Sequence, residues 1–531
     1  MVSSAAEELR KAQSAIDDLL EAGDATGAIA YADALSPPDG NTRMGTALRA
    51  AVRTDSSSIH RSETVLQEAI ALWRTLEPDE NPDIDFNLAN AHLAIWELAV
   101  RTHGGWSEAW NLSSDHLHAA RNAYERIGRT SGAAVELRLE SWTNAGNTYD
   151  IVGRDLEAIT CYERALDLDP NFGMALGNRG STLLSVARLA GVHRPTVADE
   201  ARADLDAALA NQESVVRHGG GPALAAFQSL RDKFPAGPPA PRREHPDITW
   251  DDPFLRWSYQ NDLFLHVSHR CISQDTVVLD PLLPHAVTSA GRDVGGSLSQ
   301  LLDAFNACKQ AYLAARYAIW IGMEGSPPVT EHLEQLARRA SFSGSGTEAL
   351  WDMAPGIAIQ AFAATADVLD KVANYLHLYL GVKANARIYF KNLGSSQPKG
   401  SHPTPLYARL TPCIDAPEWN RGVMALIALS VEVSHNSVLA RYVDMRHAAT
   451  HRFLIAHMAE APASDTWITR TSRDDLRSES IALLRVARAA LIYLARAVDI
   501  HEERSGREPP PGHLYSQRSP PHSPSRRYRR P

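Results

Sequence analysis

The chain has 531 residues, 44% hydrophobic and 22% charged, and a formal net charge of −10. A length beyond one compact core predicts two or three domains of soluble globular type. The acidic balance excludes a surface that is basic throughout and coats nucleic acid, and no run approaches the roughly 18 apolar residues of a membrane span.

The first residues, MVSSAAEELRKAQSAIDDLLEAG, lack an apolar core and read as an amphipathic helix rather than a signal peptide. Cys161, Cys271, Cys308 and Cys413 are scattered without C-x-x-C spacing, which argues against a structural zinc site or a disulfide framework. The expected location is the cytoplasm, with reduced thiols, no cofactor, no metal and no membrane partner.

Residues 1–234 are rich in Ala, Leu and Glu with helical spacing of apolar positions. Within them, SWTNAGNTYDIVGRDLEAITCYERALDLDPNF places Trp142, Ala145, Gly146, Tyr149, Gly153, Ala158, Tyr162, Ala165 and Pro170 in order. This pattern resembles the tetratricopeptide (TPR) repeat over 139–172. Gly146 and Ala158 allow two antiparallel helices to approach, aromatic rings fill the gap, and Pro170 stops the second helix. A further repeat is expected to begin near Gly173, with Gly180 in register with Gly146. FNLANAHLAIWELA (86–99) reads as a degenerate first helix. A TPR-like array implies a protein or peptide partner.

PAGPPAPRREHP, within a linker assigned to 235–249, is a proline-rich spacer. From 250 the chain is aromatic-rich, and DTVVLDPLLP suggests a short β-like run in an irregular lead-in segment. Helical patterning then continues to about 504, with a bundle core expected over about 340–504. The tail, 505–531, has Pro, Ser and Arg without periodic apolar residues and is expected to be disordered. Its six arginines against Glu508 give it a net charge of +5. The predicted fold class is mainly α: a TPR-like solenoid followed by an antiparallel helical bundle.

RYVDMRHAATHRFLIAH (441–457) holds the candidate site. Arg446 precedes His451 by five positions, a spacing that chance supplies roughly twice in such a chain. His447 and His451 are i,i+4 and share a helix face, yet Ala448 stands where a zincin has its Glu, and no third ligand is identifiable beyond nearby Asp444. A solvated helix face is the third reading. On an ideal helix Arg446 and His451 lie about 140° apart, so one helix presents both to one site only through a long arginine reaching round or a local break. Long helical segments flank the pair, 421–443 before and 476–498 after, and 357–381 completes a plausible bundle.

The segment resembles a HEPN domain (higher eukaryotes and prokaryotes nucleotide-binding), whose hallmark is Arg, a polar residue, several more residues and His: here Arg446, His447 and His451. VLDKVANYLHLYLGV, ARIYFKNLG and NDLFLHVSHRCISQDTVVLDPLL are similar to a HEPN branch found behind TPR arrays, which extends the likeness to about 250–500. Thr450 stands where an acidic residue is common, and His447 where Asn is commoner. The resemblance implies a metal-independent endoribonuclease. His451 would act as base or acid, Arg446 would fork onto phosphate oxygens, and a homodimer would form through the HEPN domain. It also marks Asp370 and Lys371 as pocket or scaffold positions, against the simpler reading of a surface ion pair.

His266, His269 and Cys271 sit too closely on one short segment for a closed metal site. Arg485, Arg488 and Arg496 read equally as a solvated stripe or a phosphate-guiding rim. No Gly-rich phosphate loop or Ser/His/Asp set is evident. The expected function is a TPR-regulated ribonuclease in RNA processing, stress or defence. The rivals are a non-catalytic TPR/HEPN scaffold, a nucleotide-binding regulator, and a partner that blocks another enzyme.

Overall fold

The computed structural model describes residues 4–35, 42–76, 81–103, 106–235, 250–273, 276, 278–284, 297–325, 327–340, 348–382, 389–393, 405–415, 419–434 and 440–505. The linker at 236–249 and the tail from 506 lie outside them. The first half runs α1 (Ser4–Glu21), α2 (Ala25–Ala34), α3 (Thr42–Asp55), α4 (Ser57–His60), α5 (Glu63–Arg74), α6 (Pro82–Thr102), α7 (Trp106–Arg129), α8 (Val135–Asp150), α9 (Asp155–Leu168), α10 (Gly173–Val186), α11 (Arg194–Ala210) and α12 (Gln212–Arg231). The second half continues with α13 (Pro253–Gln260), α14 (Leu298–Glu324), α15 (Pro327–Ala337), α16 (Met353–Leu380), α17 (Pro405–Asp415), α18 (Arg421–Ser434) and α19 (Ala440–His451). Strands β1 (Phe453–His457) and β2 (Ile468–Ser472) and helix α20 (Arg473–Arg504) complete it.

The repeat motif forms for the reasons its residues suggest. Helices α8 and α9 pack as a hairpin, and a Cβ on Gly146 would sit 2.4 Å from the Tyr162 ring, so only glycine lets that ring in. Helix α9 stops at Leu168, before Pro170, and α10 starts at Gly173 as the 34-residue period requires. The 86–99 segment lies inside α6, which pairs with α7.

In the second half, α20 is the central post. Residues 486–499 are all buried, Arg488, Arg496 and Asp499 among them, and α14, α16 and α18 pack round it. The segment read as one helix over 421–443 is two: α18 ends at Ser434 and α19 begins at Ala440. The described positions of DTVVLDPLLP form no strand. Instead Asp280 accepts the Leu265 N–H at 2.7 Å and pairs with Arg316 at 2.9 Å. The strands lie after α19, where β1 and β2 pair in parallel from Phe453↔Ile468 to His457↔Ser472.

The two halves share one apolar core. Trp96, Trp110, Val152, Leu156 and Leu183 of the array belong to the same buried cluster as Leu426, Leu484 and Tyr493 of the bundle. Ionic contacts line this seam. Arg121 of α7 and Arg154, in the turn between α8 and α9, both pair with Glu432 of α18. Arg496 of α20 pairs with Asp155, and Arg421 of α18 reaches Asp150 at 2.7 Å and Asp155 at 3.1 Å. Burial alone would raise the Glu432 carboxyl, but the Arg154 and Arg121 guanidiniums outweigh it and hold the group below its usual range. The turn itself needs Gly153, whose φ is +76° and where a Cβ would sit 2.3 Å from the Arg421 carbonyl oxygen.

Candidate functional site

Helix α19 is short because the chain changes structure at its end. The Arg452 N–H still bonds the Ala448 carbonyl at 3.1 Å, but the Phe453 N–H turns to Trp467 and opens β1. Tyr442, Met445 and Ala448 form its buried face, with Tyr442 against the Phe362 ring of α16. Tyr442, Val443 and the side chains beyond them at 446, 447, 450 and 451 line a cleft of about 320 Å³ between α16, α19 and the 389–393 segment.

Arg446, His447, Thr450 and His451 all line this cleft, with Asp370, Tyr389 and Lys391 across from them. Helix α19 is continuous from Ala440 to His451, so no break brings Arg446 and His451 together. The long arginine reaches sideways, and His451 stands at the helix end. The exposed His447 and His451 rings are 5.1 Å apart, centroid to centroid, and inclined at 62°.

Arg446 is held from α16. Its Nη2 donates to Asp367 Oδ1 at 2.7 Å and to Asp370 Oδ2 at 2.8 Å. Both carboxylates use the same nitrogen, which leaves Nε–H and Nη1–H for another anion. The other oxygen of Asp370 accepts the Phe390 N–H at 2.8 Å, so one carboxylate fixes both the arginine and the opposite wall. Two carboxylates on one guanidinium leave a formal negative excess, which the Lys391 ammonium offsets.

Lys371, one residue on from Asp370, is turned about 100° round α16. It is exposed, does not line the cleft, and acts electrostatically on Cys308 of α14. Asp367, Tyr389 and Lys391 were not singled out in the sequence. For Asp367 a signal exists, since it stands i−3 from Asp370 and shares its face; Tyr389 and Lys391 lie within ARIYFKNLG, one of the HEPN-like segments, but only tertiary folding brings them to the cleft.

The other histidine and arginine candidates lie away from the cleft. His266 is 1% exposed, and burial, then the neighbouring His269 and His193, push its pKa down to about 3. The Cys271 thiol donates to Glu200 at 3.0 Å, and Arg488 bonds His269 at 3.1 Å and the carbonyls of Phe264 and His266. Arg488 and Arg496 are buried clamps, neither a solvated stripe nor a phosphate rim. Among the described residues, the group of three metal-capable side chains is Glu136, Glu140 and His218 in the array; His447 and His451 gain no third ligand.

Residues 295–501 match the family model described as LA2681-like HEPN, and residues 139–172 match that of the tetratricopeptide repeat. The chain therefore carries a tetratricopeptide repeat ahead of an LA2681-like HEPN domain, and the cleft lies within that domain. No curated protein matches the chain. No helix among the described residues is long and apolar enough to cross a membrane.

Proposed function

We propose that the protein is a TPR-regulated endoribonuclease whose HEPN domain cleaves RNA without a metal. The observation that carries this reading is the meeting of Arg446, His447 and His451 in one cleft. His451 takes the proton from a ribose 2′-OH, O2′ bonds to the adjacent phosphorus, and the 5′-oxygen leaves with a proton from His447. Arg446, anchored through Nη2, turns its remaining N–H donors to the phosphorane, where negative charge develops. The products are a 2′,3′-cyclic phosphate and a 5′-hydroxyl. The acting unit is a homodimer through the HEPN domain. The array binds a protein or peptide partner that restrains or releases cleavage in RNA processing, stress or defence.

A second reading, a non-catalytic scaffold, is favoured by the double carboxylate grip on Arg446. One experiment separates them: RNA cleavage and growth toxicity of Arg446→Ala and His451→Ala, assayed in EDTA. Loss of about 100-fold or more in both variants is expected. Cleavage undiminished in both would sink the nuclease. Cleavage abolished by EDTA would favour a metal held by His447 and His451.

A further inference from the structure

The wall opposite α19 comes from the ARIYFKNLG segment, outside the Arg446–His451 motif. Phe390 is 1% exposed, and its N–H is bonded to Asp370, so its two neighbours are presented at a fixed place. Tyr389 and Lys391 both line the cleft. Lys391 is exposed, its Nζ is 6.0 Å from the Tyr389 ring centroid, and among the described residues it has no carboxylate partner. Among the described residues, the permanent charges beside it are those of the Arg446–Asp367–Asp370 triad, whose formal excess is negative, while His447 and His451 carry charge only when protonated. Lys391 is the permanent cation that offsets this excess for an entering phosphate. The lining also includes the apolar side chains of Ala366, Leu369, Val433 and Leu483. An aromatic edge, a mobile point charge and an apolar lining suit a nucleobase attached to a phosphate.

We propose that Tyr389 and Lys391 form the substrate-binding wall of the cleft, Tyr389 stacking on an unpaired base and Lys391 holding the phosphate next to the scissile one. The substrate class is then single-stranded RNA, because a base inside an A-form helix offers no free face to a ring. This inference rests on the nuclease reading.

The test uses the full chain and a short, fluorescent, fully 2′-O-methylated single-stranded RNA, which binds but has no 2′-OH to attack. A stem-loop of the same chemistry, closed by a small tetraloop, serves as the paired control. Tyr389→Leu is expected to weaken single-strand binding roughly tenfold, with Tyr389→Phe near wild type. Lys391→Gln is expected to weaken it several-fold and to lower the salt slope by about 0.7, with Lys391→Arg restoring both. Thermal melts confirm that each variant is folded. Equal binding by Tyr389→Leu, Lys391→Gln and wild type, alongside lost cleavage in Arg446→Ala, would overturn the wall and leave the nuclease standing. Wild-type preference for the paired stem would overturn the single-strand assignment. Failure of wild type to bind either RNA would overturn both the wall and the nuclease.

Discussion

Burial sorts the imidazoles of this chain into two kinds. His447 and His451 are exposed in the cleft, whereas His92, His118 and His266 are held neutral in the fold. Burial first, with nearby cations second, pushes His118 to about 4, and burial with His116 does the same for His92. In the unfolded chain each takes a proton near 6.5, so between that value and about 4 the unfolded state binds more protons than the folded one. Stability is therefore full above about pH 6.5 and falls as the pH drops towards 4. Urea midpoints measured across this window are expected to decline steadily, with His266→Phe reducing the decline. A midpoint that does not change across it would show that these groups are not buried and neutral.

At the scale of elements, α18 joins the array to the cleft. Glu432 near its end takes both Arg121 and Arg154 of the array, while the next residue, Val433, lines the cleft. Glu432→Ala takes the paired carboxylate from Arg121, 2% exposed, and one of two from Arg154, 4% exposed, which keeps Glu157 at 2.7 Å, and is expected to cost about 3 kcal/mol. A drop in denaturant midpoint checks it; a change under about 0.5 kcal/mol would place the pair in the solvent-screened class. The same scale shows how much was legible in the sequence. The α8–α9 hairpin was readable because Gly146, Tyr162 and Pro170 act locally, within one repeat. Arg446 and His451 were readable as a pair for one site, but with about 140° between them on an ideal helix the sequence left open whether a reaching arginine or a local break would join them. What unites them is the length of an arginine drawn towards Asp367 and Asp370, 76 and more positions away in sequence. The strands β1 and β2 were hidden for a similar reason: FLIAH continues the apolar pattern of a helix, and long-range pairing, with ITRTS on one side and residues 348–350 on the other, makes it extended.

Across the whole molecule, the array and the HEPN domain share one core rather than meeting only through a linker. A partner bound to the array would thus load the bundle directly through α18 and α20. The net charge of −10 keeps general nucleic-acid coating out of the account, so any RNA contact is local, through the tail with its net charge of +5 or at the proposed cleft. The chemistry proposed there has one direct test, the ends left on a cut RNA. The protein is incubated in EDTA with an all-ribose single strand and with its all-deoxy counterpart, and the products are analysed by mass spectrometry. The account predicts 2′,3′-cyclic phosphate and 5′-hydroxyl ends on the ribose strand and an intact deoxy strand. Ends bearing 3′-hydroxyl and 5′-phosphate, or cutting of the deoxy strand, would contradict it.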